Sequence, residues 1–142
     1  EESTLVIAGM GGQSIVSILE KDPEKLNRCK RLVLQPNTQV SVVRRWLLNN
    51  GQGLMDERMV QENGKVYTVL VSEPGRGLLK ATDRELLLGP FFCSRRPPVW
   101  MQYLEKRRKI LMGVHNSAGQ KTPPELLAEL GWIEEILDPA AP

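Results

Sequence analysis

The apolar positions of this chain follow two different rhythms, and the changes between them predict where each element lies. Residues 4–7 and 31–35 are short apolar runs with branched side chains, the composition of strands covered on both faces of a parallel sheet. Each is followed by a special turn and then by a stretch of helical period. Residues 13–20 form the first such helix. The second runs from near Thr38 to about Asn49, with Val40, Val43, Trp46 and Leu47 on one face and Arg44 and Arg45 on the other. Between the two units, Asp22 suits an N-cap and Pro23 a first helical residue, so a short helix through Leu26 is expected. Two successive strand-turn-helix units predict parallel strands joined by a right-handed crossover.

The rhythm then changes. Residues 54–61 and 65–72 are strand-like and separated by Glu62-Asn63-Gly64, and Asn-Gly is a strong hairpin signal, so an antiparallel hairpin is appended to the parallel pair. Tyr67, like Trp46, reads as core. Residues 82–88 form a short helix with Thr82 as cap and Glu85 at the capping-box position, broken by Gly89-Pro90. After Pro97-Pro98, residues 99–112 make an amphipathic helix with Trp100, Tyr103, Leu104 and Leu111 on its apolar side. Residues 113–122 read as a polar loop. Residues 123–137 make a last helix with Leu126, Leu127, Leu130, Ile133 and Leu137 on one stripe, weakened in the middle by Gly131. The expected architecture is therefore α/β, with a sheet portion over 1–94 and a helical hairpin over 95–142.

Bulk properties narrow the chemistry. With 142 residues, 41% of them hydrophobic and 25% charged, the chain is a globular domain of ordinary size with a small appendage. No apolar run approaches the length that spans a bilayer, so no membrane role is expected. His115 is the only histidine and Cys29 and Cys93 stand alone, which excludes a multi-histidine metal site and favours reduced thiols; no metal is expected. The net charge of +2 is mild, but Arg95, Arg96, Lys106, Arg107, Arg108 and Lys109 cluster, while Glu125, Glu129, Glu134, Glu135 and Asp138 dominate the tail. The basic run can follow a phosphate backbone, or it can be a solvated helix face paired with the acidic helix.

The glycines after the first strand are the strongest local signal. Gly9, Gly11 and Gly12 allow a sharp turn and a close backbone approach at the carboxyl end of a strand, where open α/β sheets bind ligands; a tight connection with no ligand would use the same residues. A dinucleotide fingerprint counted from Gly9 needs glycine at position 14, which is Ser14, and no phosphate-loop ending follows, so nicotinamide and nucleoside triphosphate sites are poorly supported. Gln35 and Asn37 carry amides that both donate and accept, which suits reading a base edge, with Pro36 stiffening the turn between them. Asn37 could instead simply cap the following helix.

Taken in order, Ile7-Ala-Gly-Met-Gly-Gly12, Arg31-Leu-Val-Leu-Gln-Pro-Asn37, Arg44-Arg-Trp-Leu47, Asp56-Glu57, Gly64-Lys-Val-Tyr67 and Leu87-Leu-Gly-Pro-Phe91 resemble the bacterial tRNA (adenine-N1) methyltransferase family that modifies adenine 22. The resemblance implies part of a Rossmann-like class I methyltransferase sheet followed by a small coiled-coil-like helical domain. It also implies S-adenosyl-L-methionine as cofactor, tRNA as substrate and a cytoplasmic setting. Ala8, Gly9, Met10, Gly11 and Gly12 would then border the methyl donor, and Gln35, Pro36 and Asn37 would form the catalytic turn. The six clustered basic residues would contact RNA. The family's acidic cofactor loop and ribose-binding acid have no counterpart here. The expectation is thus a C-terminal portion lacking the N-terminal cofactor-loop half, with an open sheet edge that such a portion or a second copy would cover. The competing expectation is a non-catalytic RNA-binding or assembly module.

Overall fold

The computed structural model describes residues 3–140, in two compact units divided along the chain between Arg95 and Arg96. The first unit holds a four-stranded mixed sheet. Its strands are β1 (Thr4–Gly11), β2 (Arg31–Thr38), β3 (Gln52–Glu62) and β4 (Lys65–Pro74), in spatial order β1-β2-β4-β3. β1 and β2 are parallel, while β4 runs antiparallel to both β2 and β3. The Asn63-Gly64 turn has positive φ at both residues, 51° and 77°, as a tight hairpin between right-twisted strands requires.

Helices α1 (Gly12–Lys21), α2 (Pro23–Arg28) and α3 (Val40–Asn49) make the connections. Asp22 caps α2 by accepting the Lys25 N–H at 3.0 Å, with Pro23 opening the helix. Ile15, Val16 and Leu19 of α1 and Val43 and Leu47 of α3 pack on Ile7, Leu32, Leu34, Leu54 and Leu70, which form a continuous buried core. Strand alternation sends Val6, Val33 and Val71, paired in register, to the other face. Val6 is 63% exposed because β1 lies at the edge of the sheet and pairs only with β2.

Several local expectations are corrected. β1 does not end at Ile7 but continues to Gly11, because its glycines form an irregularity inside the strand: Ala8 pairs with Gln35, Met10 with Pro36 and Gly11 with Thr38. Gly89-Pro90 does not only break α4 (Asp83–Leu88), whose capping box between Thr82 and Glu85 forms as its sequence predicts. Pro90 also opens a further helix, α5 (Pro90–Arg95), since proline is well placed at a first helical position.

Arg44 is not on a solvent face. It sits four residues after Val40 and three before Leu47, on the inward stripe, and its guanidinium is buried against Glu57 of β3 with Nε to Oε1 at 2.6 Å. Arg44 Nη1 donates to the carbonyls of Leu86 and Leu87, and Glu57 Oε2 accepts the Phe91 N–H at 3.0 Å. Phe92 lies 5.9 Å from the guanidinium carbon. One ion pair thereby ties α3, β3, α4 and α5 together.

The second unit is a pair of helices, α6 (Pro98–Ala118) and α7 (Pro124–Leu137), joined through a 3₁₀ turn at Gly119–Lys121. Contacts of Arg96 with Ile136, Arg107 with Glu129 and His115 with Thr122 run in opposite orders along the two helices, which makes them antiparallel. The loop expected over 113–122 is mostly helix. Gly113 is accommodated inside α6, and Gly119, at φ 55°, ends it by donating its N–H to the His115 carbonyl. Trp100, Leu104 and Leu111 of α6 and Leu130, Ile133 and Ile136 of α7 are buried, whereas Tyr103 and Leu127, assigned to the apolar stripes from sequence, are exposed.

Candidate functional site

The carboxyl ends of β1 and β2 and the amino end of β4 meet at one edge of the sheet, and there they frame an open cleft of about 580 Å³. Gly9, Gln35, Asn37, Lys65, Val66 and Tyr67 line it. Antiparallel pairing causes the convergence: β4 starts where the parallel strands stop, so the Asn63-Gly64 hairpin tip sits beside the turn after β2. Counting alternation from the paired Leu34 and Leu70, Gln35, Asn37, Lys65 and Tyr67 all belong to the face opposite α1 and α3.

Two side-chain amides are set by one backbone group. The Gly9 N–H donates to Gln35 Oε1 at 3.0 Å, and because an N–H can only donate, the Gln35 amide must present its oxygen there. Its Nε2 then faces the other way and donates to Asn37 Oδ1 at 3.0 Å. Asn37 is left with its Nδ2 donors, which meet no other protein group among the described residues. Asn37 does not cap α3, which starts after Gln39 in a left-handed conformation with no side-chain cap. The buried Pro36 holds the turn against Met10 of β1.

The glycines have identifiable structural duties. Gly9 adopts φ +77°, which aims its N–H at Gln35 and which an L side chain resists. At Gly12 an added Cβ would come within 2.3 Å of the Gln39 carbonyl oxygen, so the start of α1 can approach the β2–α3 connection only without a side chain. Gly9 lines the cleft; Ala8 and Gly9 are exposed, Met10 and Gly11 half-buried, and Gly12 buried. Met10 packs against the core.

The basic residues singled out from sequence divide by partner. Arg95 ends the first unit, pairs with Asp56 and lies over the Phe91 ring at 4.9 Å. Arg96 Nη1 reaches the Ile136 carbonyl. Arg107 makes a two-pronged pair with Glu129 at 2.7 and 2.9 Å, and Arg108 bonds Glu105 on its own helix. Lys106 and Lys109 are exposed with no protein partner among the described residues. No group of three or more histidine, cysteine or acidic residues suited to a metal occurs among the described residues, and no helix there is long and apolar enough to cross a membrane. Burial, only partly offset by neighbouring charges such as Arg84, pushes the Cys93 thiol up and keeps it in the unreactive protonated form.

Sequence reasoning missed three features of this unit. Tyr67, read as core, is half-buried and lines the cleft, and Lys65, quoted only within the Gly64-Lys-Val-Tyr67 segment, lines it too. Both lie two residues apart on a strand whose start was correctly read from Asn-Gly, so the alternation was available. The Arg44–Glu57 pair was also missed, yet it joins the Arg44-Arg-Trp-Leu47, Asp56-Glu57 and Leu87-Leu-Gly-Pro-Phe91 segments that carry the family resemblance.

Comparison with known proteins bears on this cleft. Residues 1–132 match the family model described as tRNA (adenine(22)-N(1))-methyltransferase. The tRNA (adenine(22)-N(1))-methyltransferase of Bacillus subtilis is 34% identical over a 152-residue alignment covering 96% of this chain and 61% of that protein. A Streptococcus agalactiae protein of the NADB-Rossmann superfamily superposes with a TM-score of 0.85 at 34% identity, over 95% of this chain and 60% of its own. A Streptococcus pneumoniae protein assigned as a tRNA (m1A22) methyltransferase, solved in complex with S-adenosyl-L-methionine, gives a TM-score of 0.84 at 33% identity over 95% and 60%. The chain thus spans about three-fifths of the length of these relatives.

Proposed function

The chain belongs to the tRNA (adenine(22)-N(1))-methyltransferase family, and from that membership we propose that it carries the substrate-facing portion of an enzyme that methylates N1 of an adenine in tRNA, adenine 22 by family, in the cytoplasm. The observation that supports this reading best is the coupled Gly9–Gln35–Asn37 array at the cleft. It leaves unused hydrogen-bonding capacity on Asn37 at the end of the parallel strands, where α/β sheets take their ligands.

Methyl transfer asks the protein mainly for orientation. S-Adenosyl-L-methionine, when bound, supplies an electrophilic methyl group on sulfur. Gln35 and Asn37 would hold the adenine with its N1 lone pair left free for that methyl, the remaining Asn37 Oδ1 lone pair accepting from the adenine N6 amino group and Pro36 stiffening the turn between the two amides. Ala8, Gly9, Met10, Gly11 and Gly12 would border the methyl donor, the exposed Ala8 and Gly9 letting it approach the backbone while Met10 and Gly12 hold the segment against the core and the β2–α3 connection. The cleft lining contains no carboxylate, so the groups that would bind the cofactor's ribose hydroxyls and ammonium are not among its residues. We assign those groups to a portion that pairs along β1. The exposed Val6 and a 390 Å³ groove, whose apolar lining of Leu5, Ile7, Ile18, Leu19 and Leu26 is rimmed by Lys21, Asp22 and Lys25, support such a cover, supplied by an N-terminal portion or by a second copy. Arg95, Arg96, Lys106, Arg107, Arg108 and Lys109 are assigned to the tRNA backbone, with Lys106 and Lys109 the most available.

Calorimetric titration with S-adenosyl-L-methionine tests the reading. The chain alone should fail to bind, and the chain joined to the portion of the relatives that it does not match should bind and methylate tRNA. If the completed protein neither binds the cofactor nor methylates, the chain is a non-catalytic RNA-binding module.

A further inference from the structure

We propose that Tyr67 and Lys65 hold the target nucleotide in the cleft, the Tyr67 ring stacking on the adenine and the Lys65 ammonium meeting its phosphate. This rests on the methyltransferase reading above and adds two positioning residues to it. Four observations carry it. Tyr67 and Lys65 line the same cleft as Gln35 and Asn37. They share the same sheet face, since continuing the β2–β4 register beyond Leu34 and Leu70 brings Tyr67 alongside Asn37. Tyr67 is only half-buried where it lines the cleft. Finally, neither the Tyr67 hydroxyl nor the Lys65 ammonium has a protein partner among the described residues, in a unit where Arg31, Arg44, Arg58, Arg76 and Arg95 are all paired with carboxylates.

The chemistry of the four side chains suits a single extruded nucleotide. A methyl donor can reach N1 of a base only when the base has left its stack, and an extruded base needs a flat apolar surface, a hydrogen-bonding edge reader and a cation for its phosphate. Tyr67 is the surface, Asn37 the edge reader and Lys65 the cation. The first residues of β4, just after the hairpin turn, carry the first and last of these, while the glycine-anchored amides carry the second at the end of β2. Stacking is indifferent to base identity, so Tyr67 orients the ring and the amides discriminate it.

The test measures methylation of a tRNA transcript by the complete protein, together with adenosine 5′-monophosphate binding followed through the Tyr67 ring resonances. Tyr67→Ala should lower kcat roughly 5- to 150-fold, the range that loss of one base–aromatic stack covers. Its tRNA affinity should change little, because most of that affinity comes from phosphate contacts elsewhere. Tyr67→Phe, which keeps the ring, should restore kcat, and its unfolding midpoint controls for misfolding. Lys65→Met should leave kcat at saturation near its starting value, raise KM and reduce the salt slope of binding by about one. The monophosphate should shift the Tyr67 resonances in the unsubstituted protein. Unchanged kcat in Tyr67→Ala, or an equal loss in Tyr67→Phe, overturns the stacking role. An absence of methylation by the unsubstituted protein overturns the enzymatic reading instead, and unshifted Tyr67 resonances then remove the nucleotide site as well.

Discussion

Two polar clusters in the first unit use similar chemistry to opposite ends. Around Arg44 and Glu57 the main partners are protein groups: both side chains are almost fully buried, and the pair engages each other, two carbonyls and one backbone N–H. Around Gln35 and Asn37 the chain of hydrogen bonds starts at a backbone N–H and ends on an unused donor at the surface. A closed cluster fixes the fold, whereas one anchored at one end and open at the other keeps hydrogen-bonding capacity at the surface, which is why the ligand role is proposed for it. The contrast explains why the same family segments contain both: the Arg44–Glu57 pair holds α4 and α5 to the sheet, and the Gln-Pro-Asn turn faces outward from it.

Substitutions should separate the two clusters, and the largest effect belongs to the closed one. Arg44→Met leaves Glu57 buried without its cation and should cost about 3–5 kcal/mol in urea denaturation, while Arg44→Met with Glu57→Leu should recover much of that. If the single substitution costs less than about 1 kcal/mol, the cluster does not organise the fold. Gln35→Ala in the open cluster should do the reverse. Methyl transfer by the complete protein should fall by about 10²-fold, the effect of a reacting group displaced by ~1 Å. Stability should change by no more than about 1 kcal/mol, because the lost hydrogen bonds are exposed.

A smaller effect is expected at the joint between the glycine irregularity and the amides. Gly9→Ala must keep a positive φ that costs an L residue about 1–2 kcal/mol, in otherwise open space. It should therefore lower the unfolding midpoint modestly and reduce activity by disturbing the Gly9 N–H. A shift no larger than that of a surface alanine substitution would mean that Gly9 is not held in that conformation.

The smallest effect concerns pH and lies outside both clusters. Burial alone would raise the Asp56 pKa, but hydrogen bonds from Arg95 and Arg58 outweigh it and hold the carboxyl below its ordinary 3.8. The Arg31 hydrogen bond, opposed by desolvation and aided by Arg76, likewise holds Glu73 below its ordinary 4.5. A carboxyl with a depressed native pKa adds stability that is complete above its unfolded value and disappears as pH falls through the native one. The thermal midpoint should thus be flat above about pH 5 with respect to these groups and fall below pH 4.5, with a shallower fall in Glu73→Gln and in high salt. An acid limb unchanged by Glu73→Gln would remove Glu73 from the account.

What the sequence made legible was mostly local. Asn63-Gly64, Thr82 with Glu85, and Asp22 with Pro23 state their own turn or cap, because the chemistry that decides them lies within four residues. The parallel pair followed by an antiparallel hairpin was legible for the same reason, each strand being bounded by its own punctuation. Arg44 was misread because charge was taken as evidence of exposure, although its spacing from Val40 and Leu47 placed it on the inward stripe; its partner lies 13 residues away on another element. Tyr67 was misread because a large aromatic on a strand is usually core, and only the sheet order shows that β4 begins beside the end of β2. The continuation of α6 past Gly113 was hidden because one interior glycine costs a helix only about 1 kcal/mol, which packing offsets.

The most direct test of the open cluster is to locate the methyl group. tRNA treated with S-adenosyl-L-methionine and the complete protein would be digested and mapped by mass spectrometry, in parallel with the Gln35→Ala protein matched for folded content. The account predicts a single methyl on N1 of adenine 22 with the unsubstituted protein, and about 10²-fold slower formation of the same product with Gln35→Ala. Methylation at the same rate in both proteins, or at a site other than an adenine ring nitrogen, would contradict it.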